Sequence, residues 1–91
     1  MPLAPANLNA LDTGVLVELT WQDQSGDELG FRVYRNVNTG AFVLWQTLAA
    51  NVTLVQDTGV GMGTMYTYYV VAYNANGESF PSNTQELTFG A

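Results

Sequence analysis

The chain has 91 residues, 47% of them hydrophobic, with two arginines against eight carboxylates, no lysine, no histidine and no cysteine, for a net charge of −6. No disulfide and no thiolate metal site can form, and a chain so poor in cations is excluded from phosphate-backbone binding and from anionic membrane surfaces. No apolar run approaches the ~20 residues that span a bilayer, so residues 1–91 read as one domain without membrane insertion, held by a core in which each large apolar side chain contributes roughly 1.5–3 kcal/mol.

The helical period is absent and period 2 dominates. Strands are expected near residues 4–10, 15–21, 30–36, 42–48, 53–58, 65–74 and 83–89. Pro5 stands where an edge strand begins, and removes a backbone donor there. Thr13-Gly14 turns the chain into a half-buried strand in which Val15, Val17, Leu19 and Trp21 alternate with Leu16, Glu18 and Thr20. Gln24-Ser25-Gly26-Asp27 breaks the chain again. Phe31 and Val33 then alternate with Arg32 and Tyr34. Asn36 to Gly40 reads as a hairpin loop before Phe42. Tyr66, Tyr68, Val70 and Ala72 alternate with Thr67, Tyr69, Val71 and Tyr73, and Asn76-Gly77 follows with the chemistry of a type I′ hairpin turn. Pro81 opens the last strand. Seven short, β-branched and aromatic strands at close spacing define an all-β sandwich.

The order and spacing of these motifs resemble a fibronectin type III domain, in the form common in bacterial extracellular multidomain proteins. The segments WQDQSGDELGFRVYR (Trp21 to Arg35) and TMYTYYVVAYNANGESFPSN (Thr64 to Asn83) carry most of the likeness, which extends over nearly the whole chain. The resemblance implies an immunoglobulin-like β-sandwich of seven strands. It places Trp21 as the core tryptophan ending the second strand. It places Tyr66 at the tyrosine corner, its hydroxyl bonded to backbone near Gly61 to Gly63. The usual pattern is departed from twice: Val55 replaces a frequent aromatic, and Tyr69, Val71 and Tyr73 make an outward face more apolar than usual.

Candidate sites are few. The acidic turn from Asp23 to Glu28 invites a calcium reading, since hard cations take six to eight oxygens. The EF-hand spacing fails at Ser25 and Asp27. The reading adopted is structural: Asp23 and Ser25 cap turn amides, and Glu28 reaches Arg35 across the sandwich edge. Ser25, Ser79 and Ser82 have no histidine or lysine to activate them. Carboxylates on turns lack the cleft that glycoside hydrolysis needs. No catalytic residue, metal ligand or cofactor is therefore assigned. Asn51-Val52-Thr53 is a glycosylation sequon on a turn. Trp45 can plug the core or lie on its rim, and Phe42 three residues earlier favours the core.

The outward face is the remaining candidate. Arg32 and Tyr34 from one strand, and Tyr69, Val71 and Tyr73 from its neighbour, are expected to form one patch. Interfaces are rich in Tyr and Arg, and flat aromatic faces also suit sugars. The bland alternative is ordinary cross-strand pairing. Thr, Asn and Gln supply 23 of 91 residues while charged residues make up only 11%, a composition that suits a secreted or cell-surface protein. The N-terminal MPLAPANL lacks the basic and apolar regions of a signal peptide. The sequence thus leads to a non-catalytic spacer or protein-interaction module of a larger extracellular or cell-surface protein, with neighbouring domains as partners. Two alternatives remain: a polysaccharide-binding accessory module of a degrading enzyme, and a repeat of an assembled surface fibre.

Overall fold

A computed structural model describes residues 2–90, and Met1 and Ala91 lie outside the described residues. Eight strands follow in order: β1 (Ala6–Asp12), β2 (Val17–Gln22), β3 (Gly30–Val37), β4 (Val43–Ala49), β5 (Leu54–Asp57), β6 (Met65–Asn74), β7 (Gly77–Glu78) and β8 (Gln85–Thr88). β1, β2 and β5 make one antiparallel sheet in the order β1-β2-β5. The second runs β4-β3-β6, with β7 and β8 both paired to β6. Seven strands become eight because the two-residue β7 forms outside the expected stretches, whereas β8 falls within the expected 83–89. Pro81 cannot donate to a ladder, and the chain pairs with β6 only on either side of it.

The alternation in the sequence becomes the interior. Val17, Leu19 and Trp21 of β2 face Phe31 and Val33 of β3 and Tyr66, Tyr68, Val70 and Ala72 of β6, and all are buried. Trp21 meets Phe31 edge to face at 5.7 Å between centroids, closing the two sheets over each other. Val15 departs from the expected strand. It lies in the turn before β2 and is 80% exposed, because Thr13 and Asp12 use their side chains to cap Leu16, Val15 and Gly14 amides there.

The turn between β6 and β7 is a hairpin, but not the type I′ turn at Asn76-Gly77. Asn74 pairs with Gly77, so the loop is Ala75-Asn76. The Asn74 side chain accepts from the Asn76 N–H at 2.8 Å, and only Gly77 takes a positive φ, 122°. The asparagine at 74 thus supplies an Asx turn that makes a mirror-image turn unnecessary.

Gly30 is fixed by contact. A Cβ there would run into the Leu48 carbonyl oxygen on β4 and stand 3.0 Å from the Tyr73 ring, so the Tyr73 side chain lies across a position that only glycine can fill.

Candidate functional site

The outer face of the larger sheet gathers the aromatic residues. β3 and β6 pair with Tyr34 opposite Tyr69, Arg32 opposite Val71 and Gly30 opposite Tyr73. The Tyr34 and Tyr69 rings stack at 4.9 Å and 14°. The Arg32 guanidinium lies 4.1 Å over the Tyr73 ring. Glu78, brought alongside by the β7 hairpin, accepts from Arg32 Nη1 at 2.9 Å and from Tyr34 Oη at 2.6 Å. Phe42 packs edge-on against Tyr69 at 4.8 Å. It therefore belongs to this outer face. Trp45 takes the core position, packing edge to face on Tyr68 at 6.2 Å.

Val71 needs a correction. It has the outward parity expected of it, yet it is only 3% exposed. Arg32 stands opposite, and Tyr69 and Tyr73 flank it on the same face, so long side chains lying along the sheet cover the short one. Val71 is thus the floor of the patch and offers no free surface.

The charges of the patch tune one another. Hydrogen bonding to Glu78, reinforced by burial, pushes the Tyr34 phenol up to about 12. Burial, then the nearby Glu78 charge, raises Tyr69. The hydrogen bonds from Tyr34 and Arg32 hold the Glu78 carboxyl below its usual range, and Glu78 in turn raises Arg32. The Arg32 and Glu78 side chains are 34% and 35% exposed, so solvent screening keeps the pair at the small worth of a surface ion pair, about 0–1 kcal/mol.

A second network is internal. Arg35 does not reach Glu28, as the sequence suggested. Its Nη1 donates to Asp57 Oδ2 at 2.7 Å. Asp57 also accepts from Tyr68 Oη at 2.8 Å and from the Gly59 N–H at 3.1 Å. The Asp57 side chain is 1% exposed. Asp57 ends β5 in the smaller sheet, whereas Arg35 and Tyr68 belong to the larger one, so this triad ties the sheets together. Arg35 is further held over Trp45 at 5.4 Å and Tyr66 at 5.7 Å. Burial and the hydrogen bond to Asp57 raise the Tyr68 phenol. Glu28 is turned the other way. Its Oε2 accepts from the Asn51 N–H at 3.2 Å, pinning the loop where Asn51 takes a φ of 66°.

The other singled-out residues are occupied locally. Tyr66 Oη accepts from the Gly61 N–H at 2.8 Å. In the acidic turn, Asp23 accepts from the Ser25 N–H, and Ser25 Oγ from the Asp27 N–H. Ser82 Oγ accepts from the Val70 N–H and donates to the Asn83 carbonyl. Ser79 Oγ does the same between Ala72 and Phe80. Both hydroxyls thus guide the chain past Pro81.

This architecture and sequence place the chain in a known family: the fibronectin type III domain profile matches residues 3–88, and the chain belongs to that family. Among solved structures, an Fn3-like protein from Clostridium thermocellum is 30% identical, with a TM-score of 0.79 over 99% of this chain and 95% of that one. A beta-1,2-glucanase from Parabacteroides distasonis is 21% identical with a TM-score of 0.84, over 98% of this chain but only 13% of its own. Titin kinase and its flanking domains give 21% and 0.81, over 99% of this chain and 17% of theirs. The last two show the fold alone, and they show it as one module inside much larger chains. Among curated proteins, no sequence matches.

Proposed function

We propose that this chain is a non-catalytic spacer and protein-interaction module of a larger extracellular or cell-surface protein. The observation that carries the reading is the course of the two terminal strands. β1 and β8 run side by side in the same direction: the Leu8 N–H donates to Asn83, the Ala10 N–H to Gln85, and the Gly90 N–H to Asp12. The polypeptide therefore enters the sandwich at one end and leaves at the other, a strand's length or roughly 20 Å away. Domains attached before and after it are held apart in line, which is what a stalk requires. The recurrence of the fold as a small fraction of larger chains supports the same reading.

The polysaccharide-binding alternative is disfavoured by the ring geometry. A sugar stacks on an open aromatic face. Here Tyr34 and Tyr69 cover one another and Arg32 covers Tyr73, so one face of each ring is already used by a cross-strand contact.

A head-to-tail tandem of two copies tests the spacer reading by small-angle X-ray scattering. The domain's extents are 38 × 23 × 18 Å. The reading expects a rod whose maximum dimension grows by about the long axis. A compact, folded-back pair would remove the spacer assignment.

A further inference from the structure

We propose that β4 is a self-association edge, on which a second copy of this chain adds antiparallel to continue the larger sheet across two molecules. The exposed edge of a sheet presents unpaired N–H and C=O groups, and proteins usually blunt it with charge, proline, a bulge or a covering segment.

The sandwich has four such edges; three are blunted by interruption, shortness, proline or charge, and β4 carries a single bulge. β1 is interrupted at Asn7, whose φ is 56°, and the Asn83 side chain takes both the Leu8 N–H and its carbonyl. β5 is four residues long and ends in the buried Asp57. β7 and β8 are short, are separated by Pro81, and carry Glu78 and Glu86.

β4 differs from all of them. Its seven residues pair with β3 on one side only, and they hold neither a charge nor a proline. Among the described residues, one further backbone bond involves the strand, from the Val52 N–H to the Ala49 carbonyl. A bulge at Trp45 turns that ring toward Tyr68. It leaves Val43 59% and Leu44 51% exposed beside it.

The occupant follows from charge. No acidic or basic residue occurs anywhere from Asn36 to Gln56, while the chain as a whole carries −6. Two copies of so acidic a chain meet with least repulsion along this neutral stretch. Antiparallel pairing of β4 with β4 sets only neutral residues opposite one another, whatever the register. Pairing also places Leu44 and Phe42 of both copies on the same outer face, next to the Tyr34–Tyr69 stack. The contact is small, so the dimer is expected to be weak and concentration-dependent. It stands apart from the spacer reading, since a strictly monomeric domain can still hold its neighbours in line.

The test uses Thr47, an exposed β4 residue opposite Arg32. Sedimentation velocity over a wide concentration range should show wild type passing from monomer to dimer. Thr47→Glu should weaken that equilibrium severalfold, because it puts a like charge on the pairing strand of both copies and charge blunts a sheet edge. Thr47→Lys should do the same, and an equimolar mixture of the two should restore the dimer. Amide hydrogen exchange gives a readout free of substitutions: the β4 amides should gain protection with concentration, and those of β5 should not. Wild type that remains monomeric throughout would overturn the proposal. So would a Thr47→Glu dimer as tight as wild type, or protection gained at another edge.

Discussion

Replacing Asp57 by asparagine probes the bond between the two sheets. The carboxylate is 1% exposed, and it is held by Arg35, Tyr68 and the Gly59 N–H at 2.7, 2.8 and 3.1 Å. Asn at this site keeps the shape but cancels the charge, and it can turn an amide donor toward the Arg35 guanidinium. Breaking one side of a buried pair costs about 3–5 kcal/mol, because the partner stays buried and uncompensated. Arg35 keeps 21% exposure and its contacts with the Trp45 and Tyr66 rings, so the lower end applies, about 3 kcal/mol. A destabilisation of 1 kcal/mol lowers Tm by about 4–8 °C in a domain of this size, so the expected loss exceeds ~10 °C. Urea denaturation followed by tryptophan fluorescence reads it through Trp45, which lies against both Arg35 and Tyr68. The double variant Arg35→Met with Asp57→Asn should cost less than the sum of the single changes, by about 0.5–3 kcal/mol. A loss within ~0.5 kcal/mol for Asp57→Asn, the ordinary range of a surface change, would show that this triad does not tie the sheets.

Other perturbations test separate parts of the account. Tyr66→Phe leaves the Gly61 N–H without its 2.8 Å acceptor and should cost about 1–3 kcal/mol; an unchanged denaturant midpoint would remove the corner from the stabilising contacts. Gly30→Ala forces a Cβ against the Leu48 carbonyl and the Tyr73 ring, and overpacking of this kind should cost about 1–3 kcal/mol, read by thermal melting; full tolerance would mean that β4 can shift freely. Tyr34 is held protonated up to about 12 by Glu78. Because its folded value is raised, the stability it lends is complete below the ordinary 10 and is lost as pH rises toward 12. Glu78 is depressed below its ordinary 4.5, so its share is complete above that value and is lost as pH falls through the depressed one. Ultraviolet titration of the phenols should therefore show Tyr34 moving down in Glu78→Gln, and a Tyr34 that ionises alike in both proteins would contradict the hydrogen bond.

The strands were legible because period 2 is written in side chains that water rejects: Val17, Leu19 and Trp21, or Tyr66, Tyr68, Val70 and Ala72, leave no other face to bury. Which carboxylate Arg35 takes was less legible. Sequence shows that charges exist, but a pair across two sheets depends on how the sheets stack. A signal was present in parity, since Asp57 follows Val55 by two residues and so points into the same core. Val71 was read by its parity alone, and parity gives direction without saying what lies over the side chain. Phe42 and Glu78 escaped the outer face for a related reason. Each arrives from a hairpin, and a loop sets the register that brings them there. The last strand was legible, since β8 lies within the expected 83–89, but the two-residue β7 was not, because Gly77 was read as part of the hairpin turn.

The cross-strand contacts of the outward aromatic face engage its rings with one another and with Arg32. Affinity electrophoresis through gels containing soluble polysaccharides tests most directly whether that face binds sugar, with wild type run beside Tyr69→Ser/Tyr73→Ser. These changes remove the Tyr34 stack and the Arg32 platform. Both proteins should migrate as they do in gels without polysaccharide, the variant differing only by a modestly lower, still cooperative melt. Retardation of wild type alone would contradict this expectation and make the face a sugar-binding site.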